Sequence, residues 1–158
     1  METPLTAASE IAITTLRERA PQAFDLAAQF KAAGFRLALV GGPVRDSLLG
    51  RLGNDLDFTT NARPDDTKKI LKKWATDVWD VGIKFGTIGA KKDNVTYEIT
   101  TYRADSYESD SRKPEVNFGD SIEGDLSRRD FTVNAMAIEL TTSTPEFIDP
   151  HSGVTDLL

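Results

Sequence analysis

LALVGGPVRDSLLGRLGNDLDFTT, Leu37 to Thr60, joins an apolar run to a Gly-Gly turn, a short segment carrying Arg45 and Asp46, and two aspartates one residue apart. FRLALV, Phe35 to Val40, has the length and apolar character of a strand. Pro43 to Leu49 is predicted as a short helix closed by Gly50, and Leu56 to Thr60 as a second strand. A strand that ends in Gly41-Gly42 and runs into a helix brings backbone N–H groups to one point. Without side chains there, a phosphate can approach closely. Taken alone, a Gly-Gly pair is more often just a tight strand-to-helix turn. Arg45 lies one turn into the helix, within reach of the same phosphates. Arg45 and Asp46 also suit an ordinary surface pair, which contributes little.

In Asp55-Leu56-Asp57 the two carboxylates share one face of the strand, because residues i and i+2 point the same way. Unpaired, they repel. A bound Mg²⁺ removes that repulsion and takes their oxygens as hard ligands. Leu56 points to the opposite face, toward a core. By itself D-x-D is a weak signal, common in turns. Glu98 strengthens it. VTYEITTYR, Val95 to Arg103, alternates Val95, Tyr97 and Ile99 on one face with Thr96, Glu98 and Thr100 on the other. A third carboxylate on that polar face completes a donor set for two metal ions, which serve phosphoryl or nucleotidyl transfer. The sequence has neither the G-x-G-x-x-G of a dinucleotide fold nor a Walker loop.

Around these segments the sequence predicts a helix from Pro21 to Ala33 stopped by Gly34, and another from Pro64 to Trp74. TDVWDVG and GTIGA are expected as strands about a turn at Gly82 to Phe85, with a hairpin turn at Lys91 to Asn94. Ala104 to Gly124 is polar and aperiodic, a long mobile loop. DLSRRDFTVNA reads as a helix with Asp125 as N-cap, and MAIEL and EFI as short strands. Trp74 and Trp79 are expected in or beside the core, and His151 in a structural role. Helices and strands do not alternate regularly, so the fold class is α+β with a mixed sheet flanked by helices.

The chain has 158 residues, 39% hydrophobic and 28% charged, which suits one soluble domain with a core. There are no cysteines, so disulfides and thiol chemistry are excluded and a cytoplasmic location is expected. The single histidine excludes a histidine-rich metal site. No apolar run approaches the ~20 residues needed to span a bilayer, and METPLTAASE has no signal-peptide pattern. The net charge of −6 argues against a basic nucleic-acid-binding face and is otherwise accounted for by solubility.

GGPVRD, DLD, YEITTYR, RRDFTVNAMA and DPHSGVTDL occur in that order. Together they resemble the N-terminal catalytic head of class II tRNA nucleotidyltransferases, the family of CCA-adding enzymes and bacterial poly(A) polymerases, whose fold is similar to DNA polymerase β. The resemblance runs from about Phe35 to the last residue. It implies a nucleotidyltransferase fold for residues 1–158, with a core of about 21–158 and residues 1–20 as an N-terminal extension. It implies two Mg²⁺ ions held by Asp55 and Asp57, with Glu98 as third catalytic carboxylate. Gly41, Gly42 and Arg45 are then placed on the triphosphate, and Arg129, Asp130 and Asn134 on the nucleotide and its ribose. Without the motif, Arg128 and Arg129 are solvated basic residues and Asn134 a structural hydrogen-bonder.

The implied activity is addition of CMP and AMP from CTP and ATP to the 3′ end of tRNA. Poly(A) or CC-only addition is the alternative within the family, and a catalytically inactive nucleotide- or RNA-binding module the alternative outside it. The loop carries Arg112-Lys113-Pro114 where the family often has two arginines before proline. The family continues into a neck helix that selects the base, then into body and tail domains that grip tRNA. The chain is accordingly expected to be a fragment, and much of the RNA grip to lie in those other domains.

Overall fold

The structure, a computed structural model, describes residues 4–82, 86–103, 118–119, 121–127 and 135–149. In chain order the elements are α1 (Pro4–Arg19), α2 (Gln22–Ala32), β1 (Leu37–Val40), α3 (Gly42–Leu48), β2 (Asp55–Thr60), α4 (Pro64–Trp74), β3 (Asp77–Gly82), β4 (Thr87–Lys92), β5 (Val95–Thr101), α5 (Ile122–Ser127), β6 (Ala137–Glu139) and β7 (Glu146–Ile148). The strands form one sheet in the order β3-β4-β5-β2-β1-β6-β7. β2 and β5 run parallel, and the other pairings are antiparallel. This is the mixed sheet expected of the α+β class.

Alternation along the strands divides the sheet into two faces. Leu37 and Leu39 of β1, Leu56 and Phe58 of β2, and Tyr97 and Ile99 of β5 face the main core. On α2 the buried residues Ala23, Leu26, Ala27 and Phe30 recur at helical spacing and close over that core, and Leu71 of α4 joins them. Trp74 stands edge-on to Tyr97 at 5.1 Å and donates its Nε1–H to Asp25, so it sits beside the core as expected.

The opposite face carries a smaller apolar cluster of Ala38, Val40, Tyr102, Ile122, Leu126 and Ala137. α5 contributes Ile122 and Leu126 to it, β1 and β6 the alanines and Val40, and β2 sends Asp55, Asp57 and Thr59 to this side.

Four features depart from the sequence-based expectation. The first twenty residues hold α1, whose Ala12 and Leu16 are fully buried in the main core and which packs against α3. Its apolar stripe is mostly alanine and threonine, too weak a pattern to stand out. The β4–β5 turn tightens to Asp93-Asn94, both at positive φ (50° and 66°), a two-residue turn that Asp and Asn tolerate well. α5 starts at Ile122, so Asp125 lies inside it and is not its N-cap. Trp79 is 39% exposed and lies outside the core.

The expected loop is structured at its far end: Phe118 bridges to Arg103 and packs on Gly86 and Arg63, and α5 takes up its last residues. Positions 104–117 and 120 lie outside the described residues.

Candidate active site

β2 and β5 are the only parallel neighbours in the described sheet, and their register sets the site. Asp57 is paired with Glu98 and Asp55 with Thr96. Directly paired residues share a face, so the three carboxylates stand together on the side of the sheet opposite the main core. Leu56 is 1% exposed and anchors the strand from behind. Asp55 is exposed, and Asp57 and Glu98 are half-buried. With Thr96 they line an open groove of about 370 Å³. A larger cleft of about 570 Å³, between Ser9 and residues 142–147, contains one carboxylate, Glu146, and touches neither the Gly41-Gly42 turn nor Arg45.

The Gly-Gly turn abuts this groove. Gly41 caps α3 at φ 72°, ψ −143°, a conformation open essentially to glycine alone. Asp57 Oδ2 lies 3.9 Å from where a Cβ on Gly41 would be, so the turn and the acidic strand are in contact. The Arg45 guanidinium folds back over the turn, its Nη2 3.4 Å from the Cβ position of Gly42. It also pairs with Asp46 at 3.5 Å, a half-exposed contact of little weight. Pro43 has no N–H and so contributes no backbone donor to this turn.

A buried link joins α5 to the same strand. Asp125 is fully buried, and its carboxylate accepts from Thr59 Oγ1 at 3.2 Å and from the Arg103 N–H at 3.0 Å. Thr59 is two residues beyond Asp57 on the same face. The Asp125 carboxylate therefore fixes α5 onto the acidic strand β2 and onto the end of β5 at once. Sequence reasoning gave Asp125 only a capping role. The available signal was Thr59, a polar residue at a position where β2 should be covered.

The structure thus brings together Asp55, Asp57, Glu98, Gly41, Gly42 and Arg45. Arg129, Asp130 and Asn134 lie outside the described residues, as does His151. Among the described residues no three acidic or histidine side chains close into a ready-made metal-binding set. The donor chemistry still fits a hard divalent cation: two carboxylates on one strand face, a third opposite one of them, and an open groove above.

Residues 37–158 match the poly A polymerase head domain family. The chain belongs to that family. It is 40% identical to the CCA-adding enzyme of Enterococcus faecalis over 146 residues, which is 92% of this chain and 34% of that protein. It is 42% identical to the CCA-adding enzyme of Streptococcus suis over 137 residues, 86% of this chain and 32% of that one. Among solved structures, the Bacillus stearothermophilus CCA-adding enzyme in complex with CTP superposes with a TM-score of 0.70 at 37% identity, covering 85% of this chain and 30% of that one. A tRNA nucleotidyltransferase complexed with a primer tRNA and an incoming ATP analog gives 0.67 at 33% identity, covering 84% and 36%. The fold of this head domain is the nucleotidyltransferase fold. The chain spans about a third of the length of the curated relatives it matches.

Proposed function

We propose that this domain is the catalytic head of a CCA-adding tRNA nucleotidyltransferase. It transfers CMP and AMP from CTP and ATP to the 3′ end of tRNA and releases pyrophosphate. The observation that supports this best is the pairing of Asp57 with Glu98, with Asp55 on the same face and the Gly41 turn against Asp57. The family is described by poly(A) polymerases, but relatives at 39–42% identity are CCA-adding enzymes, which favours CCA addition over poly(A) addition.

In this reading Asp55 and Asp57 hold two Mg²⁺ ions and Glu98 is the third carboxylate. Held by these carboxylates, such ions would supply a lowered cost of ionising the attacking hydroxyl and charge neutralisation for the departing pyrophosphate. The chain's own residues orient the reactants. Arg45 and the Gly42 amide hold the triphosphate, and Gly41 lets it approach the acidic strand without a side chain in the way. Arg129, Asp130 and Asn134 address the nucleotide and its ribose. Asp125 and Thr59 keep α5 and the acidic strand in fixed relation. Such positioning carries much of the rate in phosphoryl transfer, where the protein does little covalent chemistry. The partners are CTP, ATP and tRNA, and the location is the cytoplasm. No helix among the described residues is long and apolar enough to cross a membrane.

The experiment is incorporation of labelled CMP and AMP into tRNA lacking its 3′ CCA, with each of the four ribonucleoside triphosphates supplied alone and together. Ordered incorporation limited to C, C and A supports the reading. Long homopolymeric A tails would replace it with poly(A) addition.

A further inference from the structure

Trp79 stands in the same cross-strand row as the carboxylates. Trp79 pairs with Gly89, Gly89 with Glu98, and Glu98 with Asp57. Directly paired residues share a face, so the indole is on the side of the sheet that carries the acidic groove. Gly89 decides how the ring lies. A Cβ there would collide with Trp79 Nε1 and Cε2 and fall 2.9 Å from Cζ2, so the indole rests directly on the glycine backbone. With the ring seated on the sheet and the residue 39% exposed, an aromatic surface is left facing solvent beside Glu98. Nothing in the core needs this side chain, and β3 is the edge strand.

The order across the sheet says which reactant meets it. The Gly41 turn and Arg45 follow β1, on one side of Asp57, while Glu98, Gly89 and Trp79 extend on the other. In an in-line transfer the attacking and leaving oxygens lie on opposite sides of the phosphorus. With the triphosphate toward Gly41 and Arg45, the attacking 3′-hydroxyl arrives from the β5–β4–β3 side. Lys91 is on that side too. It is paired with Thr96 and Asp77, is exposed, and makes no ion pair among the described residues, so it is available to an RNA phosphate.

We propose that the Trp79 indole, seated on Gly89, is the stacking platform for the 3′-terminal base of the RNA primer. This rests on the nucleotidyl-transfer reading of the site. Base–aromatic stacking is tolerant of sequence, which suits a primer end that changes with each added nucleotide.

The test uses an acceptor-stem hairpin RNA ending in CC. Trp79→Leu keeps an apolar cover on Gly89 but removes the π surface, and Trp79→Phe keeps a ring. Trp79→Leu is expected to raise KM for the hairpin tenfold or more and to leave KM for ATP within twofold, while Trp79→Phe stays close to wild type. In a Trp74→Phe background Trp79 is the sole tryptophan. Its fluorescence should be quenched by the hairpin, and much less by the same hairpin with an abasic 3′ nucleotide. Should that background fail to fold, the kinetics stand alone. An unchanged hairpin KM in Trp79→Leu overturns the proposal, as does a parallel rise in both KM values. Quenching by ATP alone also overturns it, because the indole would then face the incoming nucleotide. Wild-type protein that neither binds the hairpin nor extends it would instead defeat the underlying nucleotidyl-transfer reading.

Discussion

Asp57 and Glu98 stand directly opposite each other on the parallel strands β2 and β5, on the sheet face that the main core does not use. Two carboxylates at adjacent positions of neighbouring strands repel unless a cation lies between them. The sheet tolerates the pair because the groove is open to water and because Leu56, Phe58, Tyr97 and Ile99, on the reverse side of the same strands, are buried. Acidic chemistry and structural packing thus alternate residue by residue along β2 and β5.

Gly41→Ala should lower both stability and affinity for nucleoside triphosphate. The space is adequate, since Asp57 Oδ2 is 3.9 Å from the new Cβ. The penalty is conformational: at φ 72° and ψ −143° an L-residue is strained by about 1–3 kcal/mol. Chemical denaturation measures the first effect and Mg²⁺-ATP titration the second. A variant as stable as wild type would mean that this backbone conformation carries no strain.

Asp125→Ala should destabilise the domain by about 2–3 kcal/mol, because it leaves the buried Thr59 hydroxyl and the part-buried Arg103 N–H without their carboxylate. Thr59→Val, which removes the donor and keeps the shape, should cost less. Equilibrium unfolding of the two variants gives the comparison. Equal losses would place the energy elsewhere than in the orphaned groups.

Much of this arrangement was legible in the sequence, for reasons that can be named. Strand alternation placed Glu98 opposite Tyr97 and Ile99, and i, i+2 geometry placed Asp55 with Asp57. Gly41 marked the turn, whose backbone at φ 72° is open essentially to glycine alone. Other parts depended on partners distant in sequence. Asp125 reads as a helix cap when only its neighbours are considered, and becomes a buried acceptor once Thr59, 66 residues earlier, is beside it. Trp79 reads as core because tryptophan usually is, and the glycine that seats it belongs to the next strand. α1 was missed because a stripe built on Ala8, Ala12 and Leu16 becomes apolar enough only against the rest of the core.

Glu139 should make stability fall as pH rises through the weakly acidic range. It is 2% exposed on β6, and burial pushes its carboxyl above the usual 4.5, outweighing the Thr141 hydroxyl bond and the nearby Arg36. Below about 4.5 both folded and unfolded chains hold the proton, and stability is at its full value. Between there and the higher folded value only the native state keeps the proton, so stability declines with pH, and above it the loss is complete. Glu139→Gln should flatten that decline. Denaturation midpoints for the two proteins between pH 4.5 and 8 test this, and parallel curves would remove Glu139 as the cause.

The 158-residue chain should bind Mg²⁺-nucleotide with little regard for the base. In the proposed reading Gly41, Gly42 and Arg45 address the triphosphate, and Arg129, Asp130 and Asn134 the sugar side, which all nucleotides share. Rejecting a wrong base requires hydrogen-bonding groups on its edge. Titration with CTP, ATP, GTP and UTP should give affinities within about tenfold, or ~1.4 kcal/mol. A larger preference for CTP and ATP would mean that the head reads bases itself.

The carboxylate row is tested most directly by the rate of labelled nucleotide incorporation into tRNA lacking its 3′ CCA, measured in Mg²⁺ for wild type, Asp55→Asn and Asp57→Asn. Each substitution removes one charged oxygen donor from an open groove and leaves the packing behind Leu56 untouched. Incorporation should fall by a factor of about a thousand or more, as expected when an electrostatic group of the reacting centre is lost. Unfolding midpoints should stay close to wild type, because the buried residues on the reverse side of β2 are unchanged. Near-wild-type incorporation by either folded variant would contradict the assignment of catalysis to this row.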